Sequence, residues 1–193
     1  MSFVDPPRYA AWRHREARDG FEVVFLSPDG DGYCLDGDTT AVEGDDPWAV
    51  RYVIRVDQGW LTRGAYVTGR SRSGTHELTV ESVEPGRWLI NGEPAAHLGD
   101  CLDVDLESSA LTNALPVRRL GLDVGDHADA PAAYIRASDL RVGRLEQRYV
   151  RLPDVNGLER YRYAAPAFDF ECELVYDEFG LLLEYPGIAT RAA

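Results

Sequence analysis

The chain has 193 residues, of which 45% are hydrophobic and 27% charged, and its formal net charge is −13. This length suits one domain over residues 1–193 with a substantial core, and the composition is typical of a folded protein rather than a disordered one. The negative charge argues against nucleic acid as a partner, and no apolar run is long enough to predict a transmembrane segment.

Residues 1–20 contain two adjacent prolines, Pro6 and Pro7, followed by a charged stretch. This composition predicts an irregular N-terminal arm. The same segment lacks the apolar core of a signal peptide, so the sequence predicts a cytoplasmic location.

Short runs of alternating apolar and polar residues follow, separated by turn-forming residues, and no helical period is sustained. The strands are predicted at residues 21–26, 33–42, 48–57, 60–70, 76–83, 87–91, 132–137, 141–152, 158–164, 168–176 and 181–185. A flat sheet of that size would leave a long edge and an uncovered face. We therefore expect an all-β protein, with a single large antiparallel sheet of a dozen or more strands curled into an open barrel, and at most short helical turns. Curled sheets of this size often enclose a cavity.

Two turn segments have a specific interpretation. Asn91-Gly92 predicts a tight hairpin, because both residues tolerate positive φ. Residues 29–38, DGDGYCLDGD, resemble an oxygen-rich calcium loop. They lack the closing glutamate and the flanking helices of that motif, so a hairpin is predicted there instead.

The central stretch over residues 101–122 combines acids with arginines. Residues 102–107 alternate apolar and acidic side chains, which predicts a strand with one buried and one solvated face. The pattern breaks at residues 108–113, and Pro116 is expected to end any helical turn there. Alternation then resumes over residues 117–122, which predicts a second strand carrying Arg118 and Arg119.

Six segments in chain order carry a resemblance to a known family. They are VDQGWLTRGAYV, GRWLINGEPAAHLGDCLDVDL, LTNALPVRRL, LEQRYVRL, LERYRYA and LVYDEFGLLLEYPG. Together they resemble the "Putative glycolipid-binding" family of bacterial and archaeal β-proteins, from about Trp12 to the C-terminus, and the LTNALPVRRL block is the most specific part. The resemblance implies an open barrel around an apolar cavity, similar to bacterial carriers of lipoproteins and lipids. Those carriers are exported, so the missing signal peptide favours an intracellular task here.

The acids and arginines of the central stretch have two interpretations. Asp103, Asp105, Arg118 and Arg119 could fix a polar head group through bidentate contacts, or they could form a structural lattice of ion pairs. On a strand, Arg118 and Arg119 would point to opposite faces. At most one of them could then line a pocket.

The other candidates also have a structural alternative. Thr112 and Asn113 could bind a sugar or cap a turn, and large aromatic residues in strands often form the core instead of a ligand platform. The predicted ligand-binding residues are Trp60, Arg63, Trp88, Asp103, Asp105, Thr112, Asn113, Arg118, Arg119, Gln147, Tyr149, Tyr161 and Tyr185.

The sequence offers no catalytic signature. The four histidines are scattered, no nucleophile-elbow motif occurs, and the three cysteines lack metal-ligand spacing. We therefore predict no cofactor, and a non-enzymatic protein that holds an apolar or amphiphilic small molecule, such as a lipid or glycolipid. Two alternatives stay open: a hydrolase that uses the acid–arginine cluster, and a protein-interaction module.

Overall fold

The computed structural model describes residues 3–193 and contains seventeen strands and one α-helix. The strands are β1 (Tyr9–His14), β2 (Asp19–Asp29), β3 (Gly32–Glu43), β4 (Asp46–Asp57), β5 (Thr62–Ser71), β6 (Gly74–Glu84), β7 (Arg87–Ile90), β8 (Glu93–Pro94), β9 (Asp103–Leu106), β10 (His127–Asp129), β11 (Ala132–Ile135), β12 (Val142–Leu145), β13 (Arg148–Val155), β14 (Leu158–Ala165), β15 (Phe170–Tyr176), β16 (Leu182–Tyr185) and β17 (Ala189–Arg191). Helix α1 spans Ala114–Leu120, and single 3-10 turns occupy Ala96–Leu98, Leu111–Asn113 and Pro166–Phe168.

Fourteen strands form one antiparallel sheet, in the order β10-β13-β14-β15-β16-β17-β1-β2-β3-β4-β5-β6-β7-β8. The sheet curls without closing, which confirms the predicted all-β fold with one large sheet. Strand β4 illustrates why apolar–polar alternation predicted the strands correctly. Its inner face buries Val50, Tyr52, Ile54 and Val56. Inner side chains on successive long strands give the sheet its apolar concave face.

The irregular arm predicted over residues 1–20 contains a strand, and this part of the prediction is wrong. Strand β1 lies between β2 and β17 in the sheet. Ala10, Ala11 and Trp12 are all buried there, so the segment has no apolar–polar alternation to detect. The predicted strand over residues 141–152 is also two strands, because β12 belongs to a different sheet from β13.

A second, three-stranded sheet in the order β12-β11-β9 was not predicted. Strand β9 pairs parallel with β11, and all four of its residues are buried. The predicted solvated face is therefore wrong, since Asp103 is 1% exposed and Asp105 is 9% exposed. Their burial follows from the position of β9 inside the curl, where it has protein on both faces.

The strand predicted over residues 117–122 is wrong as well, because residues 114–120 form α1. Pro116 lies in the first turn of this helix, where the missing N–H is tolerated because the first N–H groups have no intrahelical acceptor. It does not end the turn. Gly121 ends the helix in the left-handed conformation, with φ of +54°.

The segment from Ser108 to Leu120 fills much of the space that the curled sheet surrounds. Leu111, Leu115 and Val117 have no exposed surface. The buried Glu22 carboxylate of β2 holds this segment to the sheet, because it accepts hydrogen bonds from the Tyr52 hydroxyl (2.6 Å), the Ala110 N–H (2.7 Å) and the Ser109 hydroxyl. Burial raises the pKa of Glu22. The interior is therefore largely packed.

None of the helices formed by residues 3–193 has the length and apolar character needed to cross a bilayer.

Candidate functional site

A cavity of about 230 Å³ lies between the small sheet and the inner face of β14–β16. It is smaller than a typical pocket for a drug-sized ligand, which holds about 300–1,000 Å³. It can therefore enclose one part of an amphiphile, such as a head group with the first methylenes of a chain.

Five aromatic rings contribute to the cavity wall. They are Tyr134, Tyr163, Phe168, Phe170 and Tyr185. The ring of Tyr185 lies 6.1 Å from that of Tyr163 and 6.0 Å from that of Phe170, measured between centroids, and Tyr134 lies 5.5 Å from Phe168. Phe168 is 55% exposed, so the aromatic wall reaches the protein surface.

Asp105 brings a buried carboxyl group to the same cavity. Its Oδ1 accepts a hydrogen bond from the Thr112 hydroxyl (2.8 Å), and its Oδ2 accepts one from the Gln147 amide (2.5 Å). Burial raises the pKa of Asp105 to about 6, although both hydrogen bonds favour the ionised form. The protonation midpoint of this group is thus about pH 6, and the carboxylate form predominates at neutral pH.

Asn113 extends this polar network toward the sheet. It lines the cavity, and its side-chain amide donates to the Tyr149 hydroxyl (3.0 Å). The Tyr149 hydroxyl in turn donates to the Gln147 side chain (3.4 Å), and the Tyr176 hydroxyl donates to the Asn113 carbonyl (3.3 Å). The structure therefore brings together five of the predicted residues, Asp105, Thr112, Asn113, Gln147 and Tyr149, and Tyr185 completes the group at the aromatic wall.

Asp103 and Arg119 form a separate ion pair that does not line the cavity. The Arg119 guanidinium donates to both carboxylate oxygens, at 3.1 and 2.6 Å. Burial raises the pKa of Asp103, while Arg119 opposes the shift. This pair matches the structural lattice that the sequence left open, because α1 is pinned to β9 through it.

Arg118 points away from Arg119, toward the turn between β4 and β5. Its guanidinium stacks 4.0 Å from the centre of the Trp60 ring and donates to the carbonyls of Val4 (3.1 Å) and Phe179. Burial lowers the pKa of Arg118 to about 10. Arg118 and Trp60 line a second cavity of about 480 Å³. In this second cavity the Tyr33 hydroxyl donates a hydrogen bond to the Asp5 carboxylate (3.2 Å).

Three other predicted residues lie apart from the aromatic cavity. Trp88 is buried, and its indole N–H donates to the Cys101 carbonyl (2.8 Å). Arg63 is exposed on β5 and pairs with Asp57 (2.7 Å). Tyr161 is buried in the core, and its hydroxyl donates to Glu159 (3.1 Å).

Several residues of the cavity wall are absent from the set predicted from the sequence. They include Arg18, Glu107, Tyr134, Tyr163, Phe168 and Phe170. Tyr163 carried a usable signal, because it shares a strand face with Tyr161. Arg18 carried none, because it stands in the charged stretch that was interpreted as an irregular arm.

Comparisons with known proteins fit this description. The family model described as "Putative glycolipid-binding" matches residues 9–191. The structure is similar to that of a DUF1089 family protein from Pseudomonas aeruginosa, with 30% identity, a TM-score of 0.75, and coverage of 89% of this chain and 92% of that chain. It also resembles a beta-barrel-like protein of the domain of unknown function DUF1849 from Brucella abortus, with 10% identity, a TM-score of 0.54, and coverage of 98% and 96%, a likeness of fold alone. The comparison with curated proteins found no match. Since the family model covers almost the whole chain, this protein belongs to the "Putative glycolipid-binding" family.

Proposed function

We propose that the protein binds an apolar or amphiphilic small molecule, such as a glycolipid, in the aromatic cavity and leaves it chemically unchanged. The observation that carries this proposal is the wall of five aromatic rings beside the buried polar network of Asp105 and Asn113. Apolar walls with a few convergent polar groups are typical of small-molecule sites. The family assignment supports a binding role in general terms.

The chemistry of the cavity wall indicates which residues would contact the apolar part of the ligand and which the polar part. Tyr163, Phe170 and Tyr185 would bury the apolar part of the ligand, with each methylene contributing about 0.8 kcal/mol. Phe168 would cover the chain where it leaves the cavity. The polar group of the ligand would lie at the polar part of the wall, which includes Arg18, Ser109 and Asn113.

The two alternatives have less support. A hydrolase built on the acid–arginine cluster would need a carboxyl group free to reach substrate, but Asp103 is paired with Arg119 and both oxygens of Asp105 accept hydrogen bonds. An interaction module that pairs through sheet edges would need longer edge strands than β8 and β10, which have two and three residues. The cytoplasmic location stays a prediction.

Titration with dodecyl maltoside and with maltose tests the proposal, using isothermal calorimetry on the wild type and on two Phe→Ala variants. We expect dodecyl maltoside to bind and maltose alone to bind far more weakly. Phe168→Ala should weaken dodecyl maltoside binding by about tenfold, because it removes an aromatic contact with the chain. Phe25→Ala is the matched control, since Phe25 is 61% exposed on β2 and does not line the cavity.

Two results would contradict the proposal. Equal dodecyl maltoside affinities for the Phe168→Ala and Phe25→Ala variants would show that the ligand does not bind in the aromatic cavity. Release of maltose from dodecyl maltoside during the titration would show hydrolysis and so contradict a non-enzymatic role.

A further inference from the structure

Arg18 is a buried cation in the wall of the aromatic cavity. It lies just before β2, is 8% exposed, and stacks with its guanidinium carbon 5.3 Å from the centre of the Trp48 ring. Stacking on an aromatic ring fixes the orientation of the guanidinium but leaves its N–H groups in need of acceptors.

Most of these donors have no protein acceptor. One terminal nitrogen of Arg18 donates to the Glu107 carbonyl (2.7 Å), and the buried Nε has no hydrogen-bond partner among residues 3–193. Within the same described range, Arg18 forms no salt bridge. Arg119, Arg151 and Arg191 are also largely buried, and each of them pairs with a carboxylate at 2.5–2.6 Å. Arg18 thus departs from the rule that buried charges are paired.

Three of the neighbouring acids accept hydrogen bonds from groups other than the Arg18 side chain. Glu22 accepts three hydrogen bonds from the sheet and the 108–110 segment. Both oxygens of Asp105 accept from Thr112 and Gln147. One carboxylate oxygen of Glu107 accepts from the Ala137 N–H (2.7 Å). Glu43 also lines the cavity, but it is exposed, and among residues 3–193 it forms no salt bridge with Arg18. The site therefore holds a buried cation without a direct carboxylate partner, next to an apolar wall.

We infer that Arg18 anchors the head group of the ligand, and that this head group carries a carboxylate or a phosphate. The inference rests on the proposed function and narrows its ligand from amphiphiles in general to anionic amphiphiles. A guanidinium offers paired N–H donors that match the oxygens of either group. The net charge of −13 repels anions at long range. Salt screens such repulsion beyond about 8–10 Å, so the short-range pairing with Arg18 determines whether an anionic head group binds.

The test compares four probes: dodecanoate, dodecyl phosphate, inorganic phosphate and dodecyl maltoside. Their affinities are measured by calorimetry at about pH 8, where dodecanoate is ionised, on the wild type, Arg18→Gln and Arg13→Gln. Arg13 is exposed on β1, so Arg13→Gln makes the same change in net charge away from the cavity.

We expect Arg18→Gln to lower the affinity for dodecanoate and for dodecyl phosphate by about tenfold or more, because a charge-assisted hydrogen bond is lost. The same variant should change dodecyl maltoside binding by less than about threefold, and Arg13→Gln should change every affinity by less than about twofold. Inorganic phosphate should bind much more weakly than dodecyl phosphate, since it cannot use the aromatic wall. If it binds as tightly, and with the same dependence on Arg18, the anchor is supported but a free anion becomes the ligand.

Several outcomes would overturn the inference. Equal losses for the anionic probes and the maltoside would assign Arg18 a structural role, and unchanged binding of the anions would exclude it as the anchor. Binding of the maltoside without either anionic amphiphile would overturn the anchor and leave the proposed function standing. If no amphiphile binds the wild type, the proposed function itself fails. Should Arg18→Gln not fold, Arg18→Lys keeps the charge but loses the planar pair of N–H donors. It should lower the affinity for the anionic probes alone, by severalfold.

Discussion

Two aspartates on β9 show that the ionisation of a buried carboxyl group depends on its hydrogen-bond partner. Asp103 and Asp105 are two positions apart and both are buried. Asp103 pairs with the Arg119 guanidinium, whereas Asp105 accepts hydrogen bonds from the neutral Thr112 and Gln147 side chains. Burial raises the pKa of both carboxyl groups, and the nearby guanidinium of Arg119 opposes that rise only at Asp103. Asp105 therefore carries an ionisation penalty in the folded state.

This penalty predicts a specific pH dependence of stability. The pKa of Asp105 rises from its ordinary 3.8 to about 6 on folding, so the folded state binds its proton more tightly than the unfolded chain. The contribution of Asp105 to stability is therefore complete below about pH 4 and is lost as the pH rises through about 6, which amounts to about 3 kcal/mol. Asp105→Asn cannot titrate, so its stability relative to the wild type should increase between about pH 4 and pH 7. Urea unfolding of both proteins across that range measures the difference, and parallel curves would contradict the prediction.

At the scale of elements, α1 positions residues on both of its sides although it has only seven residues. Its last turn carries Arg118 toward Trp60 and Arg119 toward Asp103. Its first residue follows Asn113, which lines the aromatic cavity. A helix this short is not stable alone, so its ends and its packing must hold it in place.

The C-terminal end of α1 provides a test. Gly121 has φ of +54°, and a Cβ added there would meet no atom within 4 Å. Gly121→Ala should therefore cost about 1 kcal/mol through backbone strain alone. Gly143→Ala on β12 is the matched control, because its added Cβ also meets open space but its φ is not positive. It should be neutral or slightly stabilising. Urea midpoints of the two variants compare these costs, and equal midpoints would argue against the strained cap.

At the scale of the whole molecule, β1 and β17, the first and last strands in chain order, pair with each other and join the two halves of the large sheet. Strand β17 pairs with β16 on one side and with β1 on the other. The buried Ala189 starts β17, and Arg191 at its end pairs with Asp177 (2.5 Å) and stacks 4.8 Å from the centre of the Trp12 ring. Since β1 and β17 come from opposite ends of the described chain, the curl depends on contacts of the longest sequence separation.

A charge placed in this seam should unfold the protein or weaken it severely. Ala189→Glu would bury an unpaired carboxylate and should cost more than about 3 kcal/mol. Ala192→Glu adds the same side chain at an exposed position three residues later, and should change stability by less than about 0.5 kcal/mol. Thermal unfolding followed by circular dichroism distinguishes the two. A similar melting temperature for both variants would show that the seam is not essential.

The sequence by itself determined the class of the fold, because alternation along strands such as β4 and turn residues such as Asn91-Gly92 are local signals. It also indicated part of the polar network, since Asp105, Thr112, Asn113 and Gln147 stand in the segments that carry the family resemblance. Only the tertiary structure decided that both faces of β9 are buried, that residues 117–120 are helical, and that β1 pairs with β17. These features depend on contacts between residues far apart in the chain, and local periodicity contains no information about such contacts. Arg18 belongs to this second group, because its isolation from carboxylates is a property of the folded cavity.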